Sequence, residues 1–240
     1  MEIFTKIIEN VSLWEVVLLL VILYFMFKPD MINRISKFKV GEFEIELREL
    51  KEQVQQGHER ITELESEIEN NKKQFQSIIN NFDANASLES LNEVKHKIKA
   101  QSKNLNDDLF LQEHLKTTAT PEELYAAAVG IREKRPVKLL PDLISLLDEL
   151  SRDENLGGYR LNTIWTLTSA VHKMLISCVR DDVNPFPSKE LLVKAEIVLQ
   201  QLDKNPKVIL DNPNDPMRGI KGPIKHSLNW IAKAKEKTSA

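Results

Sequence analysis

The sequence predicts an all-α protein in three parts: an N-terminal transmembrane helix, a parallel coiled coil and a C-terminal helical domain. Three observations carry that expectation. Residues Val11 to Phe27 form a near-continuous apolar run, and from Leu47 the apolar residues recur in heptads. Beyond residue 50 the apolar spacing stays helical, with no strand-like alternation. Composition agrees. The chain has 7 glycines in 240 residues, well below a usual share of about 7%, so loops that cradle phosphate through glycine are poorly supplied. The single cysteine, Cys178, excludes an intramolecular disulfide and a cysteine-based zinc cage. A net charge of −3 argues against a surface that binds nucleic acid throughout.

Residues 1–10 are expected outside the membrane and 11–28 across it. From Val16 to Phe27 the only polar group is the Tyr24 hydroxyl, and the length meets the lower end of the roughly 17–25 residues a spanning helix needs. Trp14 and Tyr24 near the two ends suit aromatic belts, and Lys28 marks the inner edge. A cleaved signal peptide fits poorly. Glu2 and Glu9 face a single Lys6 in the leader, and the run ends in FMFKPD without a small-residue cleavage site. Lys28, Arg34, Lys37 and Lys39 follow the span, so positive charge puts the N-terminus outside and the bulk of the chain in the cytoplasm of a single-pass inner-membrane protein. Glu15 lies about one turn inside the outer edge, where a carboxylate reaches water. The competing reading makes it a pore-lining group.

A juxtamembrane joint covers 29–46. Within it Phe43, Ile45 and Leu47 alternate with glutamate as in a half-buried strand, while Val40, Phe43 and Leu47 also extend the heptad backward. The coil proper spans 47–82. Its a positions are Leu47, Val54, Ile61, Ile68, Phe75 and Phe82, and its d positions Leu50, Gly57, Leu64, Asn71 and Ile78. In a parallel pair, Glu46 faces Lys51, Arg60 faces Glu65 and Glu67 faces Lys72, all attractive. Branched Val54 and Ile61 at a, with leucine at d, favour two strands. The expected self-association residues are therefore Leu47, Leu50, Val54, Ile61, Leu64, Ile68, Phe75 and Ile78, on a rod about 54 Å long. Gly57 weakens the second heptad and Asn71 fixes register at a cost. Residues 42–69 hold ten glutamates against three basic residues, read as a solvated helix face. In the segment 83–118, NNFDANAS interrupts the helix, and Leu88, Leu91, Val94, Ile98, Leu105 and Leu109 then either fold back on the first helix or continue as a poorer coil.

The C-terminal domain is expected over 119–240. Thr120-Pro121-Glu122-Glu123 supplies a capping box with proline at the first helical position, and Arg135-Pro136 ends that helix. A second helix runs from about Pro141 to Leu150, and a third, largely buried, follows Gly157-Gly158 with Leu161, Ile164, Trp165, Leu167, Val171, Met174 and Leu175. Ser188 caps a fourth, and after the loop Asn205–Pro223 comes a last helix with Ile224, Leu228, Trp230 and Ile231. The stretches AAAVGIREKRPVKLLPDLISLLDEL and LGGYRLNTIWTLTSAV share an alanine-rich first helix, a proline-bearing second helix and an arginine, Arg160, opening the next unit. They resemble a HEAT-type helical repeat. The resemblance implies a stacked-helix surface that holds proteins, in a short array, since fewer than three repeats are visible. A plain helical bundle explains the same pattern.

Chemistry is sparse. No histidine of the five pairs with another at i+3 or i+4, and HExxH, Walker A, GxGxxG and GxSxG are absent. Cys178 reads as core packing. Gly219 and Gly222 in RGIKGP read as a turn rather than a phosphate loop. Asp211, Asn212, Asn214 and Asp215 read as a rigid loop rather than a calcium site, because prolines break the pattern. The basic tail from Arg218, with Lys221, Lys225, Lys233, Lys235 and Lys237, reads as a solvated helix. No catalytic, metal or cofactor site is expected. The expected function is a non-enzymatic, membrane-anchored oligomeric scaffold or adaptor, with partners in a second copy of itself, the bilayer and a cytoplasmic protein, and none in nucleic acid. The alternative is a membrane-active effector whose helical domain senses a signal and whose clustered spans perturb or gate the bilayer.

Overall fold

The computed structural model describes the backbone of residues 29–105 and 108–239, with Trp14, Val17, Leu18, Leu20, Leu23 and Tyr24 nearer the N-terminus; side chains are described over 48–105 and 108–238 and at those six positions. The described residues are helical, with no strand among them. The chain divides into two compact units, 1–64 and 65–240.

The first helix, α1 (Pro29–Asn80), covers the expected joint and the coil. The 38–47 stretch is therefore helix, with neither a strand nor a break at Gly41. Among the described residues no helix is long and apolar enough to cross a membrane. Two thirds of the expected span 11–28 falls outside those residues, Glu15 and Lys28 included. Trp14 and Tyr24 are described, both helical and exposed.

In the second unit the end of α1 is part of a globular core, which corrects the expected extent of the coil. Phe75 is fully buried and Ile79 nearly so, with Ile78 and Phe82 packed against the same core. After the Asp83–Ser87 turn the chain folds back as α2 (Leu88–Ser102), capped by Ser87, whose hydroxyl accepts from the Ser90 amide. Leu91 and Ile98 join Phe75 and Ile79 in the core, and Gln101 Nε2 donates to the Asn71 carbonyl at 3.3 Å. Asn71 thus receives a bond from its own chain, and the segment 83–118 is a hairpin partner, not a continued coil. A short α3 (Leu109–Glu113) sets Phe110 edge-on to Phe75, with ring centroids 5.5 Å apart.

The remaining helices are α4 (Pro121–Lys134), α5 (Leu140–Arg152), α6 (Leu161–Val179), α7 (Lys189–Asp203), α8 (Pro206–Ile209) and α9 (Lys221–Ser239). Their ends follow the expected local chemistry. Thr120 and Glu123 form the full capping box of α4, Arg135 closes it at φ 55° before Pro136, and Ser188 caps α7 through the Leu191 amide. α6 lies at the centre, between α4 and α9, with α5 also against it; α2 flanks α4, and α7 packs on α5 and α9. That position accounts for a helix buried nearly all round, including Thr163, Thr166, Thr168 and Ser169. Thr166 and Thr168 satisfy their hydroxyls on carbonyls one turn back. Gly130 sits where α4 meets its neighbours. A side chain there would meet Leu111 Cδ2 at 2.9 Å and Ser102 Cβ at 3.5 Å, so glycine permits the close approach.

Candidate functional site

Two surfaces stand out, one in each unit. In the first, Leu50, Val54, Ile61 and Leu64 are 58, 64, 53 and 40% exposed. Four large apolar groups at a and d spacing on one helix face form a stripe with water as its neighbour. The Leu47 side chain is outside the described residues. Ile68, one heptad further, is half-buried in the second unit, and Phe75 and Ile78 are core residues there. Of the expected self-association set, the structure keeps Leu50, Val54, Ile61 and Leu64 accessible together and gives Phe75 and Ile78 an intrachain role. The charges flanking the stripe are tied along the helix, Arg48 to Glu52 at 3.8 Å and Arg60 to Glu63 at 2.8 Å. Arg60 therefore has a ready alternative to Glu65 of a second chain, and pairs this exposed contribute little.

The second surface is a cleft of about 840 Å³ in the C-terminal unit. Its walls come from three stretches: Leu88 at the start of α2, Gly158–Trp165 leading into α6, and the loop from Lys207 to Gly219. Arg160 anchors one wall by donating to the carbonyls of Ala84 and Ala86 at 3.0 and 2.6 Å, pinning the α1–α2 turn. Tyr159 anchors another, its hydroxyl donating to Thr117 and Ala119 at 3.0 and 2.7 Å. Asp211 holds the third, accepting from the Ile220 amide at 2.8 Å and from the Asn212 side chain at 3.2 Å. A side chain at Gly219 would run into that carboxylate. The Asp/Asn cluster is thus a loop clasp, as the prolines imply, and it turns Arg218 and Gly219 into the cleft lining.

Trp165 also borders a cationic cluster that lies outside the cleft lining. The Arg132 guanidinium lies 5.0 Å from the indole centroid and donates to Ser169 Oγ at 2.7 Å, and Lys95 Nζ lies 5.9 Å from the same ring. Burial lowers the pKa of Lys95, and repulsion from Arg132 and Lys99 lowers it further. Lys173 is depressed in the same way, by burial first and then by Arg132 and Arg135. Glu133 answers part of this charge, but it is shared between Lys99 at 3.3 Å and Lys103 at 3.6 Å. The signals for this surface lay far apart in sequence. Arg160 stood out only as the opening residue of a helical unit, Trp165 only as one position of a buried helix, and Arg218-Gly219 only as a turn.

Elsewhere, Cys178 is buried against Pro185, and burial pushes its thiol up to about 11, which removes nucleophilic character. His172 on α6 and His226 on α9 stack with ring centroids 5.4 Å apart, a pairing hidden by their separation in sequence. Among the described residues no three histidine, cysteine or carboxylate side chains gather as a metal site. In the basic tail, Lys237 donates to the Val179 carbonyl at 2.6 Å and Lys235 pairs with Glu196, so these lysines fasten α9 to its neighbours. No family model, curated protein or solved structure matches the chain.

Proposed function

We propose that this protein is a membrane-anchored, self-associating scaffold whose C-terminal helical unit presents a recognition surface to a cytoplasmic protein. The observation that carries the proposal is the exposed stripe Leu50, Val54, Ile61 and Leu64 on a helix otherwise covered with charge. Apolar groups at this spacing gain by burial, at about 25 cal/mol per Å² removed from water, and a second copy in parallel register offers the matching face. The apolar run at 11–28, followed by Lys28, Arg34, Lys37 and Lys39, supports an anchor with the bulk of the chain on the cytoplasmic side. Stacked helices of the kind formed by α4 with α6 and α5 with α7 suit protein recognition, in keeping with the HEAT-like sequence pattern.

The test uses the full chain and has two readouts. Alkaline carbonate washing should leave the chain in the membrane pellet, and deletion of 1–28 should release it. In detergent, its protein mass should be at least a dimer's, and Val54→Asp with Ile61→Asp should return it to the monomer value of 27.6 kDa. Ile68 is left intact because it is half-buried in the folded unit. Carbonate release of the intact chain would refute the anchor, and retained dimer mass in the variant would refute the stripe as the contact.

A further inference from the structure

We propose that the cleft beside Trp165 binds a phosphorylated small molecule. Neither anchoring nor self-association enters this inference; it stands on the C-terminal unit alone.

Size comes first. A volume of about 840 Å³ lies within the roughly 300–1,000 Å³ typical of small-molecule sites. Charge comes second. Arg160, Lys207 and Arg218 reach the lining from three separate segments, against one lining carboxylate, Asp211. Each oxygen of Asp211 already accepts one bond in the loop clasp, and its charge leaves a net excess of two cations in the lining. Arg160 spends one terminal nitrogen on the Ala84 and Ala86 carbonyls, and Lys207 makes a single long bond of 3.3 Å to Asn155. Arg218 pairs with Asp215 at 3.0 Å on a side chain that is mostly exposed. An arginine carries five N–H donors and a lysine three, so each keeps capacity for a ligand oxygen.

The third consideration is the charge around the indole. Lys95 and Arg132 hold their charges over Trp165 in partly desolvated positions, and each depresses or is depressed by like charge nearby. Partly buried cations that repel one another cost stability unless an anion answers them. This chain is acidic overall, which makes the local excess of positive charge a feature of the site rather than of composition. The three lining cations therefore suit a multiply charged anion. The walls contributed by Leu161, Leu210 and Trp165 add apolar area, which favours a phosphate ester over bare phosphate. A nucleoside diphosphate has both parts at the right size.

The experiment is calorimetric titration of the detergent-purified full chain with ADP and with inorganic pyrophosphate. ADP should bind saturably and pyrophosphate should compete. Lys207→Ala with Arg218→Ala should weaken ADP by about tenfold or more, the value of lost charge-assisted bonds. Lys138→Ala, an exposed change away from the cleft, should leave binding unaltered. Both variants alter surface side chains, and an unchanged melting temperature would show that each folds. Equal affinity for pyrophosphate and ADP still supports a phosphate ligand and removes the apolar walls from its recognition. No saturable heat with either probe overturns the proposal, as does binding that the double variant leaves intact. Binding of a polyglutamate peptide or a single-stranded oligonucleotide that neither probe displaces also overturns it, by making the ligand a macromolecule.

Discussion

The same heptad pattern meets two different fates along α1. Up to residue 64, Leu50, Val54, Ile61 and Leu64 are exposed; further along the same helix Phe75 is completely buried and Ile79 almost so. The local pattern does not distinguish them, since both stretches put large apolar groups at a and d positions among charged neighbours. What distinguishes them is the turn at Asp83–Ser87, which brings α2 back along the end of α1 and supplies Leu91 and Ile98 as partners. Where an intrachain partner exists the stripe becomes core. Where none is found among the described residues it stays exposed. An apolar stripe therefore states a need for burial but not what will meet it.

That contrast is broken most strongly by Phe75→Ala. Removing a fully buried phenyl group should cost the C-terminal unit about 3–5 kcal/mol, read as a lowered denaturant midpoint. Ile61→Asp, two heptads back along the same stripe, should leave that midpoint unchanged while weakening self-association. A similar loss in both would mean that the two regions are energetically one.

Next in size is Arg160→Ala. It removes two bonds from a charged donor to the Ala84 and Ala86 carbonyls, so the hairpin should loosen by about 1.5–3 kcal/mol. Hydrogen exchange at residues 83–90 should rise before exchange in α6 does.

Acidification sharpens the comparison in another way. His172 is held below the usual histidine value by burial first, then by His226 and Lys173; His114 is also held low by burial, against the pull of Glu123 and Glu113. For a depressed histidine the unfolded state binds the proton more readily, so stability is full above about pH 6.5 and declines as pH falls through that value. Glu123 is depressed mainly by its bond from the Thr120 amide. Its contribution is present above the ordinary carboxylate value and lost in more acid solution. The C-terminal unit should therefore melt at lower temperature at pH 5 than at pH 7, and His172→Gln should reduce the difference. A melting temperature indifferent to pH over that range would contradict the stacked, buried geometry.

Much of the fold was legible because its signals are local. Thr120 with Glu123, Arg135 before Pro136 and Ser188 before α7 act within one turn, and the structure uses each as the chemistry implies. In sequence Phe75 reads as a coil contact and the path of 83–118 stays open, because the burial of the one and the hairpin of the other depend on contacts between α1, α2 and α3. The cleft was illegible for the same reason. Arg160, Lys207 and Arg218 belong to three segments, and only tertiary folding makes them neighbours. In the run Asp211–Asp215 the prolines imply a loop, but the clasp beside Arg218 rests on the Asp211–Ile220 bond, which spans nine residues.

The smallest effect expected concerns Gly57, where an added side chain meets nothing within 4 Å. Gly57→Ala should stabilise α1 by about 0.5–1 kcal/mol, detected as increased helicity of the first unit on thermal scans, with the C-terminal transition unmoved.

The central claim is that the exposed half of the α1 stripe joins chains while the buried half belongs to one chain. Light scattering of the detergent-solubilised full chain, corrected for bound detergent, measures this directly. A dimeric or larger mass that Val54→Asp with Ile61→Asp reduces to 27.6 kDa, with the melting transition of the C-terminal unit preserved, is the predicted result. A monomeric mass for the unaltered chain would contradict it.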